Sequence, residues 1–137
     1  LDCKGHTGAL IMLGESIIES ISKKQSITSL SSTEAELISL STTLNSVLWT
    51  RNLIEELGFP QNPSTIYQDN QSAIQMGETG KLTNRTKHMG VRFYNIHDHI
   101  KKGNIKLEYI KTEKMKADIL TKSKGPTEFL KARNMIA

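Results

Sequence analysis

Three short segments place carboxylates where secondary-structure elements are expected to begin or end. They are Ser31–Leu37 with Glu34 and Glu36, Ile66–Ser72 with Asp69, and Lys116–Lys122 with Asp118. Hard divalent cations such as Mg²⁺ prefer oxygen ligands, so Asp and Glu side chains from different elements form a candidate metal site if they meet in space. Two such ions about 3.5–4 Å apart support phosphodiester hydrolysis in many nucleases. The acidic segments therefore predict a metal-dependent nuclease site.

Each of these carboxylates also has a structural explanation. Glu34 and Glu36 both lie at capping-box spacing from an upstream Ser or Thr, where an acid bonds back to the start of a helix. If Ser31 is the cap, Glu34 fills the box and Glu36 is left to point elsewhere. Asp69 has the alternative of capping the next helix, and Asp118 that of a solvated helix acid. The sequence leaves these alternatives open.

Composition limits the class of protein. The chain has 137 residues, 36% of them hydrophobic and 23% charged, which predicts one domain over residues 1–137 with its own core. The net charge of +4 is compatible with a nucleic-acid partner. One cysteine, Cys3, rules out an internal disulfide and a multi-cysteine zinc site. No secretory signal is visible, and no apolar run approaches the roughly 20 residues that a membrane span needs, so no membrane partner is expected.

The hydrophobic pattern predicts an α/β fold, with helices packed on a mixed sheet. Strands are expected at 8–13, 16–22, 25–30, 65–68 and 105–109. A long helix is expected to start at the caps of 31–33 and to end at Gly58. Further helices are expected at 70–76, around 93–100, around 118 and at 127–136. Asp69 then lies at the carboxyl end of a strand, the edge at which open α/β sheets gather their ligand sites.

Several other segments contain residues that could contact phosphate, a metal or a base. A polar loop offers phosphate contacts, with a solvated basic surface as the alternative, and it contains Lys81, Asn84, Arg85, Lys87 and His88. Lys23 and Lys24 have the same two interpretations. His97-Asp98-His99 is not expected to bind a metal, because residues two apart do not share a helix face. Trp49 lies within the long helix and is expected in the core rather than as a stacking platform.

Several segments, in this order, resemble the ribonuclease H domain of copia-type retrotransposon polyproteins. They are Ser22–Ser26, Leu30–Leu37, Leu48-Trp49, Leu53–Pro60, Asp69–Ile74, Arg85–His88, Glu108–Ile110 and Ala117–Lys122. Any one of them is a weak signal, whereas the ordered set covers nearly the whole chain and is specific.

The resemblance implies a ribonuclease H fold, with a five-stranded mixed sheet flanked by helices. It implies endonucleolytic hydrolysis of the RNA strand of RNA–DNA hybrids by a two-metal site of Mg²⁺ or Mn²⁺, with no small-molecule cofactor. Glu36, Asp69 and Asp118 match the family's catalytic and metal-binding acids. Asn70 and the basic loop (Lys81, Arg85, Lys87 and His88) become candidate hybrid contacts. The expected partner is the reverse transcriptase domain of the same polyprotein, in cytoplasmic virus-like particles or in the nucleus.

The chain departs from the family pattern at its beginning. The family has a fourth acid on a strand that precedes a segment resembling Asp2–Gly8, and Asp2 itself corresponds better to a later loop acid. We therefore expect that strand, with one metal ligand, to be missing or incomplete here. The alternative function is a catalytically inactive module that binds nucleic acid or the polymerase. Other nucleases with the same fold, such as integrases and resolvases, are disfavoured by the 117–122 segment.

Overall fold

The computed structural model describes residues 4–84, 86–121 and 124–136. Its strands are β1 (Lys4–Leu13), β2 (Ser16–Thr28), β3 (Ser64–Gln68) and β4 (Ile105–Tyr109). Its α-helices are α1 (Ser32–Glu56), α2 (Gln71–Thr79), α3 (Gly90–Lys101) and α4 (Pro126–Ile136). Short 3₁₀ helices span Lys87–Met89, Thr112–Lys114 and Lys116–Leu120. The predicted α/β class is confirmed.

The strands form two separate sheets. β1 and β2 pair antiparallel, and β3 and β4 pair parallel. Within 4–84, 86–121 and 124–136 no ladder joins β1 to β3, so the five-stranded sheet implied by the resemblance is not observed. Each sheet consequently keeps an unpaired edge, and both β1 and β3 line the same cleft. A strand between these edges would be needed to join the two sheets.

The predicted third strand at 25–30 was wrong, because β2 runs unbroken from Ser16 to Thr28. Two irregularities in the β1–β2 register, between Lys4 and His6 and between Ile11 and Met12, let the long hairpin continue. Gly14, with φ of 61°, makes the tight turn between the two strands.

The core lies between α1, α2, α3 and the β3–β4 sheet. Its buried side chains are Leu37, Ile38, Leu40, Leu44, Ile66, Ala73, Met76, Met89, Phe93, Ile96, Ile105 and Leu107. These residues recur at helical spacing in the helices and alternate in β3 and β4, as the hydrophobic pattern predicts. Gly77 allows α2 to pack closely, since a Cβ there would lie 2.9 Å from Leu107 Cδ1. This core holds the starts of α1 and α2 beside the end of β3.

Two predictions about the long helix and the segment around residue 118 needed correction. Trp49 is 67% exposed, so its predicted core position was wrong. It follows Leu44 by five residues, a helical rotation of about 140° that turns it away from the buried face. The helix predicted around Asp118 is instead a pair of 3₁₀ helices, closed by bonds such as Thr121 N–H to Asp118 O at 3.2 Å.

Candidate active site

Glu36 lies in the first turns of α1, just after a well-formed N-cap. The Ser31 hydroxyl accepts a hydrogen bond from the Glu34 amide at 3.2 Å, which stabilises the helix start. Glu34 Oε2 accepts from the Leu30 amide at 2.6 Å, so the predicted capping role of Glu34 is confirmed, with the residue before the cap as its partner. Glu36, two residues further on, lines the cleft between the sheets.

Asp69 follows β3 directly and also lines the cleft. Its Oδ2 accepts a hydrogen bond from the Thr112 hydroxyl at 3.1 Å. The alternative of Asp69 as a helix cap is not what is observed, because Asn70 Oδ1 caps α2 by accepting from the Ala73 amide at 3.0 Å. Gln68 Oε1 accepts from the amides of both Asp69 and Asn70 and fixes this turn. Asp69 is thereby held at the carboxyl end of β3.

Asp118 comes from the 3₁₀ helix Lys116–Leu120, the third element at the cleft. Its Oδ2 accepts from the Lys124 ammonium at 2.7 Å, and its Oδ1 accepts a longer hydrogen bond from Thr121 Oγ1 at 3.4 Å. The same Thr121 hydroxyl bonds the Asp118 carbonyl at 2.8 Å. Asp118 is therefore neither a solvated helix acid nor an isolated charge.

Three residues that the sequence did not single out fix the Asp118 segment on the hairpin. Ser22 Oγ donates to the Leu120 carbonyl at 2.8 Å. Because that hydroxyl has one proton, the 2.9 Å bond between Ser22 and His6 must be donated by His6 Nε2. Gly8 allows close approach, since a Cβ there would lie 2.5 Å from Thr121 Cγ2 and 3.1 Å from the Ala117 carbonyl oxygen. A glycine in a strand is the one sequence signal that pointed here.

The three acids share one cleft of about 830 Å³, which also has β1 and β3 in its walls. Burial raises the pKa of Glu36 above its ordinary value, and the negative charge of Asp69 raises it further. A hydrogen bond to Gln68 lowers this pKa, and the charge of Asp118 adds a smaller upward contribution. Three carboxylates from three elements therefore line one cleft, and Asp69 and Asp118 are close enough to Glu36 for their charges to raise its pKa.

The donor chemistry of these acids fits a hard cation, because all three offer carboxylate oxygens. Their arrangement is open: in the part of the chain that the structure describes, no group of three or more His, Cys, Asp or Glu side chains is close enough to hold a metal. At Asp118 the Lys124 ammonium lies 2.7 Å from Oδ2. The three acids are therefore suitable in type for a hard cation, but within the described residues they are not grouped closely enough to form one metal site.

The residues predicted to contact the hybrid differ in exposure and in hydrogen-bond partners. Lys81 and Lys87 are exposed, whereas Arg85 lies outside the described residues. His88 Nε2 lies 3.2 Å from Glu34 Oε1, so this side chain anchors its loop to the start of α1. Asn70 uses Oδ1 as a cap, which leaves its amide nitrogen as the group that a nucleic-acid contact would use.

The side chains of His97, Asp98 and His99 each contact a different part of the protein. His97 Nδ1 donates to the Gly77 carbonyl at 2.9 Å, and His99 Nδ1 accepts from Asn104 Nδ2 at 2.9 Å. Asp98 pairs with Lys102 at 2.6 Å, and that hydrogen bond lowers its pKa. The three side chains therefore bind different partners.

Comparison with known proteins finds relatives that are much longer than this chain. It is 35% identical over 119 residues to the retrovirus-related Pol polyprotein from transposon TNT 1-94 of Nicotiana tabacum, a match of 87% of this chain and 9% of that protein. It is 32% identical over 129 residues to the Pol polyprotein from transposon RE1 of Arabidopsis thaliana, covering 93% of this chain and 9% of that protein. Its homologues are retrotransposon Pol polyproteins.

A more distant relative is also a retrotransposon polyprotein. The Ty1-NL2 Gag-Pol polyprotein of Saccharomyces cerevisiae is 28% identical over 120 residues, which are 87% of this chain and 7% of that protein. The chain thus spans less than a tenth of the length of these relatives. No family model and no solved structure matched. The resemblance to retrotransposon polyproteins is confirmed, while its assignment to the ribonuclease H part stays a prediction. No helix among the described residues is long and apolar enough to cross a membrane.

Proposed function

We propose that this segment of a Pol polyprotein is a ribonuclease H domain, which hydrolyses the RNA strand of RNA–DNA hybrids during retrotransposition. The observation that carries the proposal is the meeting of Glu36, Asp69 and Asp118 at one cleft, from α1, β3 and a 3₁₀ helix. A basic chain with exposed Lys81 and Lys87 is suited to a polyanionic substrate.

In this proposal Glu36, Asp69 and Asp118 would hold Mg²⁺ or Mn²⁺, and the chemistry supplied by two bound ions would be activation of a water and stabilisation of the leaving oxygen. The protein's own part is to gather and orient the acids. The α1 cap fixes Glu36, the Gln68 and Thr112 hydrogen bonds fix Asp69, and the contacts of the 3₁₀ helix with β1 and β2 fix Asp118.

We also propose that the cleft between β1 and β3 accepts an extended segment of the same polypeptide. Both strands present an unpaired edge to the cleft, and unpaired edges readily add a strand. A strand there would join the two sheets into one mixed, five-stranded sheet. By the family resemblance it would also bring the fourth acid to the site.

The partner proposed for this domain is the reverse transcriptase domain of the same polyprotein, within virus-like particles. An apolar stripe on the outer face of α1 offers a surface for such contact. Trp49, Leu53 and Leu57 recur at four-residue spacing and are all exposed. Exposed apolar patches commonly mark protein interfaces.

The decisive experiment measures cleavage of a labelled RNA–DNA hybrid in Mg²⁺ and in Mn²⁺. It uses the chain extended upstream by the segment proposed to lie in the cleft between β1 and β3. Asp69→Asn should abolish metal-dependent cleavage, whereas Asp98→Asn should not, because Asp98 pairs with Lys102 outside the cleft. Full activity of Asp69→Asn would refute the assignment. Preference for duplex DNA over hybrid would favour another nuclease class.

A second candidate function is hybrid binding without cleavage. It is favoured by the open arrangement of the acids and by the Asp118–Lys124 pair. Tight hybrid binding with no turnover, even with the additional strand present, would support this alternative.

A further inference from the structure

Lys124 holds its ammonium group in a largely buried position beside the cleft acids. Its Nζ lies 2.7 Å from Asp118 Oδ2, and the two side chains are 11% and 20% exposed. Removal of an ammonium from water is costly unless an opposite charge compensates. Lys124 lies just before α4 and Asp118 lies in the 3₁₀ helix Lys116–Leu120.

This pair engages the carboxylate that the proposed metal site needs. Lys124 donates to Oδ2 of Asp118 at 2.7 Å, whereas Thr121, whose single hydroxyl proton goes to the Asp118 carbonyl at 2.8 Å, makes a secondary contact of 3.4 Å with Oδ1. An oxygen that accepts a short hydrogen bond from an ammonium is a poor ligand, because the ammonium and a divalent cation repel each other. Glu36 is hydrogen-bonded to Gln68 and Asp69 to Thr112, both neutral side chains, whereas Asp118 is paired with a lysine, so the competition centres on Asp118.

We propose that Lys124 is a tethered counter-ion, which neutralises Asp118 in the metal-free protein and competes with the divalent cation for it. Metal binding at Asp118 then requires the Lys124 ammonium to leave Oδ2. This inference rests on the proposed function only in taking Asp118 as a metal ligand.

The test compares Mn²⁺ affinities of the whole chain by calorimetric titration. Lys124→Met removes the charge and keeps a similar length, and it should lower the Kd for Mn²⁺ about tenfold, which corresponds to ~1.4 kcal/mol. Lys124→Arg keeps the charge and should not increase affinity. Lys131→Met removes the same charge from the exposed face of α4 and should leave the Kd unchanged.

The outcomes separate this inference from the proposed function. If the wild type binds Mn²⁺ and Asp118→Asn abolishes binding, but Lys124→Met binds no more tightly than wild type, Lys124 does not compete and the inference is overturned. If Lys131→Met tightens binding of Mn²⁺ as much as Lys124→Met, the tighter binding comes from the change in net charge, and the inference is also overturned. If no variant binds Mn²⁺, the metal site itself is refuted and the inference falls with it.

A second measurement needs no substitution and therefore holds even if a variant fails to fold. The rate at which an amine-reactive reagent labels Lys124 is followed by mass spectrometry, with exposed Lys131 as the internal reference. Saturating Mg²⁺ should increase labelling of Lys124 relative to Lys131, because the ammonium is released from Asp118. An unchanged ratio under conditions where Mg²⁺ binds would contradict the displacement.

Discussion

The contact between Gly8 and the 3₁₀ helix that carries Asp118 can be tested with one methyl group. In Gly8→Ala the new Cβ would lie 2.5 Å from Thr121 Cγ2, 3.1 Å from Leu120 Cβ and 3.1 Å from the Ala117 carbonyl oxygen. The Thr121 side chain cannot turn away without loss of its 2.8 Å bond to the Asp118 carbonyl. The Ala117 oxygen is backbone, so the whole 3₁₀ helix must move.

Two opposing effects set the change that Gly8→Ala causes in the free energy of unfolding. Overpacking of a well-packed contact costs roughly 1–3 kcal/mol. Replacement of a strand glycine by alanine returns about 0.5–1 kcal/mol, because the unfolded chain loses less freedom on folding. The expected net destabilisation of Gly8→Ala is therefore about 1 kcal/mol, the difference between the midpoints of these ranges.

Equilibrium unfolding in urea measures this difference, and amide NMR shifts of 116–121 report movement of the 3₁₀ helix. Gly125→Ala is the matched control, because nothing lies within 4 Å of the Cβ that it would introduce. It should be neutral or slightly stabilising. The movement should also weaken binding of Mn²⁺ if Asp118 is a ligand.

The predicted steric clash at residue 8 would be refuted if Gly8→Ala were at least as stable as wild type and left the NMR shifts of 116–121 unchanged. Such a result would mean that β1 and the 3₁₀ helix are not in the close contact described. Asp118 would then owe its position to other interactions.

Burial and charge support four further predictions. In EDTA, Glu36→Gln should be more stable than wild type at neutral pH. This gain in stability should disappear below the ordinary pKa of 4.5, because the wild-type carboxyl is then protonated and no longer buries a charge. A gain that is independent of pH in urea unfolding would contradict this prediction. Leu44→Ala, at a fully buried site, should cost about 2–5 kcal/mol. Trp49→Ala should change stability by no more than about 0.5 kcal/mol, and a large loss would return Trp49 to the core. Glu34→Ala should cost roughly 1–3 kcal/mol in thermal or urea unfolding, because the Leu30 amide loses its acceptor, and a neutral effect would show that this bond contributes nothing.

Local sequence rules were sufficient for most of the elements. Ser31 and Asn70 cap helices where the pattern of polar and apolar residues predicts. β4 has the predicted bounds, since alternation of Ile105, Leu107 and Tyr109 with charged residues is a signal contained within five positions. The rules failed where neighbours in space decide, as for the unbroken β2 and the exposed Trp49.

The sequence by itself determined the α/β class and where the long helix starts, because these depend on spacing along the chain. It left open which carboxylates cap helices and which line a site, and Glu34 was separated from Glu36 only by its hydrogen bond to the Leu30 amide. Tertiary structure alone decided that the sheet is divided at β1 and β3 and that Gly8 admits the 3₁₀ helix. It also decided that Lys124 neutralises Asp118. Such contacts depend on distances between elements, which no local pattern of residues encodes.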